Sequence, residues 1–128
     1  MDDRNLIAVA EQAAATSKVR PGGLFSGCTV KADDGRVFRG CVLEYANSDL
    51  DQDPISNAVA AARSEGVRKI QRIGLYSPTG GPLPMIPSLT LARLQELGTE
   101  DLVIIFSPGT GDRVEKSLAK LLQEEASN

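Results

Sequence analysis

Leu6, Val9, Ala10 and Ala13 recur at helical spacing in an alanine-rich stretch and predict a first helix from Asn5 to Thr16. Gly22 and Gly23 separate it from a strand, Leu24 to Ala32, and a second strand runs from Arg36 to Leu43. Between them Asp34-Gly35 is the dipeptide that a two-residue primed turn selects, so the two strands form a hairpin. The polar stretch Tyr45 to Asp53 reads as a loop. Asp53-Pro54 then starts a second helix, with Asp as cap and Pro at its first position, and Gly66 ends it. Ile70 to Tyr76 is a third strand. Pro78, Gly80, Gly81, Pro82, Pro84 and Pro87 make a stiff loop. Ser88 is expected to cap a third helix ending at Leu97, with Gly98 behind it. Leu102 to Phe106 is a short buried strand, and after a turn at Gly109 to Asp112 a last amphipathic helix covers Val114 to Glu124, with Leu118, Leu121 and Leu122 on one face. The order α-β-β-α-β-α-β-α implies an α/β fold, a layered sheet with helices on its faces.

Composition narrows what such a domain can do. With 128 residues the chain is one domain, 1–128, and its net charge of −3 is spread in mixed order. Nucleic acid is therefore an unexpected partner, because its backbone rewards clustered cations. Arg63, Arg68, Lys69 and Arg72 form the one concentrated basic stretch and read as a solvated face. No apolar run approaches the ~20 residues needed to span a bilayer. The acidic start MDDRNLIAVAEQ lacks the features of a secretory leader, so a cytoplasmic protein with reduced thiols is expected. The sequence holds no histidine and only two cysteines, Cys28 and Cys41. That excludes histidine-based acid–base catalysis and Ser-His-Asp or Cys-His triads. One copy also lacks the ligands for a usual Cys/His zinc site, so no metal or other cofactor is expected.

The stretch from Gly27, GCTVKADDGRVFRGCVLEYAN, resembles the strand–turn–strand of the small cytidine deaminases. The segments ending SEG at Gly66 and LARLQELG at Gly98 resemble the helices that open Cys-Ala-Glu and Pro-Cys-x-x-Cys in that family. The resemblance spans approximately Val19 to Leu122. It implies a cytidine-deaminase-like three-layer α/β/α fold with a mixed sheet opened by the hairpin, and homotetramers, or dimers of larger chains, that share residues between neighbours. The family's Asn-x-Glu ribose motif falls on Val42-Leu43-Glu44, so Glu44 alone of the pair is kept. The aromatic near the substrate falls on Leu24, with Phe25 adjacent. The departures are at the metal. The first zinc cysteine falls on Asp53, the catalytic glutamate on Ile55, and the other two cysteines on Pro87 and Thr90. In this deaminase class zinc lowers the pKa of a bound water and the glutamate shuttles protons. An isoleucine carries no proton, and no catalytic residue is expected.

Two readings of the substituted site stand side by side. In one, Asp53 and Ser88 are ordinary helix caps closing the two helix starts. In the other, two convergent helix N-termini favour an anion or a nucleotide, with Glu44 on a sugar hydroxyl and Phe25, Asp53, Ser88 and Thr90 nearby. The resulting expectation is a non-catalytic, oligomeric binding or assembly module, as a homo-oligomer or with an active relative. The alternatives are a nucleoside or nucleotide sensor, or an enzyme of metal-free chemistry using Glu44 and the Asp49–Asp53 carboxylates.

Other patterns reduce to turn chemistry. Asp49, Asp51 and Asp53 alternate like a calcium loop, but Pro54 and Ala60 stand where Gly and Glu are needed. Gly109-Thr110-Gly111 lacks the third glycine of a dinucleotide loop, and Pro78-Thr79-Gly80-Gly81 lacks a P-loop lysine. Centring the hairpin on Asp34 and Gly35 places Cys28 opposite Cys41, either as a redox pair or as two small buried hydrophobes.

Overall fold

Asp2 and Asp53 open the two longest helices in the same way. Each lies in extended backbone, and its carboxylate accepts the amide N–H three residues on, from Asn5 and Ser56. Each thereby satisfies a donor that a helix start leaves without an intrahelical acceptor. They begin α1 (Asp3–Ala14) and α2 (Pro54–Ser64). The computed structural model, which describes residues 1–127, adds β1 (Gly27–Ala32), β2 (Val37–Cys41), a 3-10 turn at Ser48–Leu50 and β3 (Ile70–Tyr76). The rest of the chain forms α3 (Ser88–Leu97), β4 (Gly98–Ser107), β5 (Val114–Ser117) and α4 (Leu118–Ala126).

The strands make one mixed sheet in the order β2-β1-β3-β4-β5, parallel only between β3 and β4. Side chains alternate across it. Gly27, Thr29 and Gly74 point to α1, and the Thr29 hydroxyl donates to the Leu6 carbonyl at 2.9 Å. Cys28, Val30, Ile73, Leu75, Ile104 and Phe106 point the other way. There they pack with Ile55 and Ala58 of α2, Leu91 and Leu94 of α3, and Leu118. The result is the expected α/β/α layering with unequal faces: α1 alone on one side, three helices and the larger apolar core on the other. Burying one Phe- or Leu-sized side chain in such a core contributes about 1.5–3 kcal/mol.

Three expectations are corrected. The hairpin turns in three residues rather than two: the Gly35 N–H donates to Ala32, Ala32 bonds Arg36, and only Gly35 (φ +92°) is left-handed. That is a type I turn with a glycine bulge. The register therefore moves by one, pairing Cys28 with Gly40 and Gly27 with Cys41. Because the side-chain period is two, the cysteines face opposite sides of the sheet and are not a cross-strand pair. The segment at Val114 begins as strand β5 on the edge of the sheet, opposite Val103 to Phe106. The helix starts only at Leu118, capped by the Ser117 hydroxyl accepting from the Lys120 N–H. Finally, Ser88 is the first residue of α3 and not its cap. Pro87 holds that position without a side-chain bond, and its carbonyl accepts from Thr90 and Leu91.

Candidate functional site

The starts of α2 and α3 meet beside a cleft of about 510 Å³. Thr90 Oγ1 donates to Asp53 Oδ1 at 2.9 Å, while the Ser56 N–H donates to Asp53 Oδ2 at 3.1 Å. A hydroxyl has one proton, and that of Thr90 is given to Asp53. The 3.2 Å contact between Ser56 Oγ and Thr90 Oγ1 must then be donated by Ser56, whose oxygen accepts from Arg93 Nη1 at 3.1 Å. The chain Arg93 to Ser56 to Thr90 to Asp53 thus has a fixed direction, from a cation to a carboxylate. A hydrogen bond to a charged group contributes about 1.5–3 kcal/mol. Thr90 is 1% exposed and its hydroxyl is satisfied by Asp53, which is half-buried on the cleft wall. Ile55, also 1% exposed, belongs to the apolar core and forms part of the cleft wall.

Zinc is the group that the family resemblance implies, and the residues present do not fit it. Of the three positions only Asp53 carries an anionic ligand group, Thr90 is a neutral hydroxyl that donates to it, and Pro87 offers no side-chain donor atom. A tetrahedral site draws on thiolates, imidazoles and carboxylates. Among the described residues no group of three or more His, Cys, Asp or Glu side chains is placed to hold a metal ion. Cys28 lies near Asp53 but stays a thiol: burial pushes its pKa well up, and the Asp53 charge adds to this.

The other residues singled out in the sequence lie elsewhere. Glu44 is outside the cleft wall. Its Oε1 accepts the Arg20 N–H at 2.8 Å, and its Oε2 is 3.8 Å from the Arg20 guanidinium. Phe25 and Leu24 are 47% and 44% exposed and stand outside the cleft. Ser88 is exposed and outside it as well. Asp53 and Thr90 are brought together, with Asp49 and Asp51 on the same wall.

Arg20 is a residue that the sequence did not suggest. It grips Asp51 with two hydrogen bonds of 2.8 Å and donates to the Tyr45 carbonyl at 2.6 Å. The Tyr45 N–H in turn donates to Asp51 at 2.9 Å. The Arg20 bonds, followed by the Tyr45 N–H, lower the Asp51 pKa from 3.8 to about 2. A carboxylate with a depressed native pKa adds stability above its unfolded value, and that stability disappears as pH falls through the folded value. Amide protection at Tyr45 is therefore expected to be full above pH 3.8 and to be lost as pH falls toward about 2, as hydrogen exchange would report. Arg20→Gln should move the midpoint up toward 3.8; an unmoved midpoint would reject this pairing as the clamp.

Ser56 and Arg93 were also missed. Their signal was positional: Ser56 is three residues beyond the cap Asp53, and Arg93 three beyond Thr90, so each shares its helix side with a site residue.

No protein-family model matches the chain. The cytidine deaminase of Sporosarcina psychrophila is 25% identical over 122 residues, covering 95% of this chain and 89% of that protein. The crystal structure of cytidine deaminase from Burkholderia pseudomallei superposes with a TM-score of 0.86 at 25% identity, covering 94% of this chain and 96% of that one. The cytidine deaminase of Mycobacterium tuberculosis gives 0.79 at 27% identity, with 95% and 94% covered.

Proposed function

We propose that this chain, which belongs to the cytidine deaminase family, works without zinc-dependent deamination, as an oligomeric binding or assembly module in the cytoplasm. The observation that carries this reading is the Thr90–Asp53 hydrogen bond of 2.9 Å, between two positions that the sequence resemblance matches to zinc cysteines. Ile55 lies in the core where a proton-carrying glutamate is needed. Asp53 is the acceptor end of a hydrogen-bonded chain within the fold, its two oxygens taken by Thr90 and the Ser56 N–H.

Assembly is supported by the apolar surface around the cleft. Met85 and Leu89, both on its wall, are 91% and 70% exposed, and Leu50, between the lining residues Asp49 and Asp51, is 57% exposed. Contiguous exposed apolar surface is what oligomeric contacts cover. The partner is another copy of this chain, or an active relative that it stabilises. A second reading, a nucleoside or nucleotide sensor, is favoured by one fact: the cleft stays open although its metal end is closed.

Two measurements test the proposal. Purified protein with added zinc is expected to give no ultraviolet change on cytidine, and light scattering is expected to show a dimer or larger species. Turnover of cytidine would overturn the non-catalytic reading. A monomer at micromolar concentration, which also returned no partner on co-purification, would overturn assembly. Melting-temperature shifts with cytidine or a nucleotide would then favour the sensor, since a ligand at a hundredfold its Kd adds about 2.7 kcal/mol.

A further inference from the structure

On the face of the sheet that α1 covers alone lies a second cleft of about 490 Å³, separated by the sheet from the one described above. Two arginines line it, Arg4 on the first turn of α1 and Arg113 just before β5. Neither forms an ion pair among the described residues. The acids beside them are already committed. Arg72 takes Asp3 at 2.6 and 2.9 Å and Glu115 at 2.6 Å. Glu11, the cleft's own carboxylate, sits seven residues along α1 from Arg4, about 10 Å away along the helix axis. Among the described residues, the cleft therefore has a positive end whose two arginines form no ion pair of their own.

Neutral donors surround that end. Ser107 and Tyr76, at the ends of β4 and β3, are both hydroxyl-bearing residues of the cleft lining. The loop between β4 and β5 turns on Gly109 and Gly111, with φ of +82° and +90°. A side chain on Gly109 would stand 3.0 Å from Pro78, and the Pro108 carbonyl accepts from the Gly80 N–H at 2.9 Å, so the loop is fixed from behind. Its N–H groups at 109 to 111 donate to no backbone carbonyl among the described residues. Guanidinium forks, hydroxyls and successive free backbone N–H groups are the donors that tetrahedral oxyanions select.

We propose that this cleft is a phosphate site, in which Arg4 and Arg113 bind the anion and Ser107 and the glycine loop complete its hydrogen bonds. It is independent of the cleft at Asp53 and of whether the chain is catalytic.

The test is titration of the intact chain with inorganic phosphate at constant ionic strength, by calorimetry and amide chemical-shift mapping. Saturable binding is expected, with shifts concentrated at residues 107–113 and the first turn of α1. Arg4→Gln and Arg113→Gln, both at exposed positions that the fold tolerates, should each weaken the Kd about tenfold, the loss of one charged hydrogen bond. Arg68→Gln, which changes net charge equally, should not. No saturable binding, shifts centred on Asp53 to Arg93, or equal losses in all three variants would overturn the proposal. A nucleoside monophosphate titrated in parallel separates the sources. A Kd equal to that of inorganic phosphate identifies the free anion as the ligand, and a tighter one that Arg113→Gln abolishes identifies a phosphate ester with its organic part against Tyr76.

Discussion

A variant carrying Asp53→Cys, Pro87→Cys and Thr90→Cys is expected to bind one zinc ion, while the unaltered chain takes up none under the same conditions. The backbone is already arranged for it. Asp53 and Thr90 are in direct contact at 2.9 Å across the starts of α2 and α3, and Pro87 occupies the cap of α3. Three thiolates placed there would have the sign that helix N-termini favour, and helix starts also lower thiol pKa. Three protein ligands and a solvent position make an open zinc site. Zinc bound by cysteine and histidine in small domains contributes on the order of 10 kcal/mol. Against this stand the lost Asp53 cap, about 1 kcal/mol, and the lost Thr90 bond, so metal binding wins by a wide margin. The measurement is metal content after gel filtration, followed by competition with a chromogenic chelator. A triple variant that folds yet leaves the zinc with a weak chelator would mean that these positions do not converge as the two helix starts suggest. Turnover is not expected from the triple variant, because the resemblance matches Ile55, which carries no proton, to the family's proton-shuttling glutamate.

What the sequence disclosed and what it withheld follow from the range of the interactions involved. Local signals were read correctly: Asp53-Pro54 as a helix start, Gly66 behind its end, and Ile70–Tyr76 as a strand, since each depends on a few neighbouring residues. The hairpin was legible but its register was not. Asp34-Gly35 supports a two-residue turn, and the structure instead places Asp33 in the turn, where Asp34 accepts from both the Arg36 N–H and its side chain. One residue of slip moved Cys41 to the other face. The strand β5 was hidden because Val114 to Ser117 runs directly into an amphipathic helix, and an exposed edge strand of four residues has no buried stripe to announce it.

The site was legible only as a list of replaced positions. Asp53 and Thr90 could be named from spacing, but their hydrogen bond, which closes the position, joins residues 37 apart in sequence. The same holds for Glu44, which could be matched to a sugar-binding position while its partner Arg20, 24 residues earlier, carries no motif. Both polar side chains are spent on contacts within the fold, and no local pattern records that. The two arginines of the second cleft, which form no ion pair among the described residues, are a property of three dimensions for the same reason. Their isolation is visible only once Arg72 is seen to hold both neighbouring acids.

Gly27→Ala should cost at least about 3 kcal/mol, the upper end of ordinary overpacking. A methyl group on Gly27 would stand 2.0 Å from the Ala10 carbonyl oxygen and 2.5 Å from the Ala14 nitrogen, both backbone atoms of α1. A backbone, unlike a flexible side chain, relieves such a clash only by moving the whole helix. The neighbouring contacts oppose that movement: Leu6, Ala10, Ala13 and Ala14 are buried against the sheet, and Thr29 ties its hydroxyl to Leu6. A domain of this size has roughly 5–15 kcal/mol in all, so the variant should melt lower by about 10 °C or more. Gly35→Asn, at an exposed left-handed turn position with open space around it, is the contrasting change: it meets no clash, and its cost is the backbone strain alone, about 1 kcal/mol. A Gly27→Ala melting temperature within two or three degrees of the parent, a shift worth well under about 1 kcal/mol, would show that α1 does not sit this close to β1. Because α1 also carries Arg4, any Gly27→Ala protein that still folds should bind phosphate more weakly than the parent. A variant with lowered stability and unchanged phosphate affinity would place the anion away from α1.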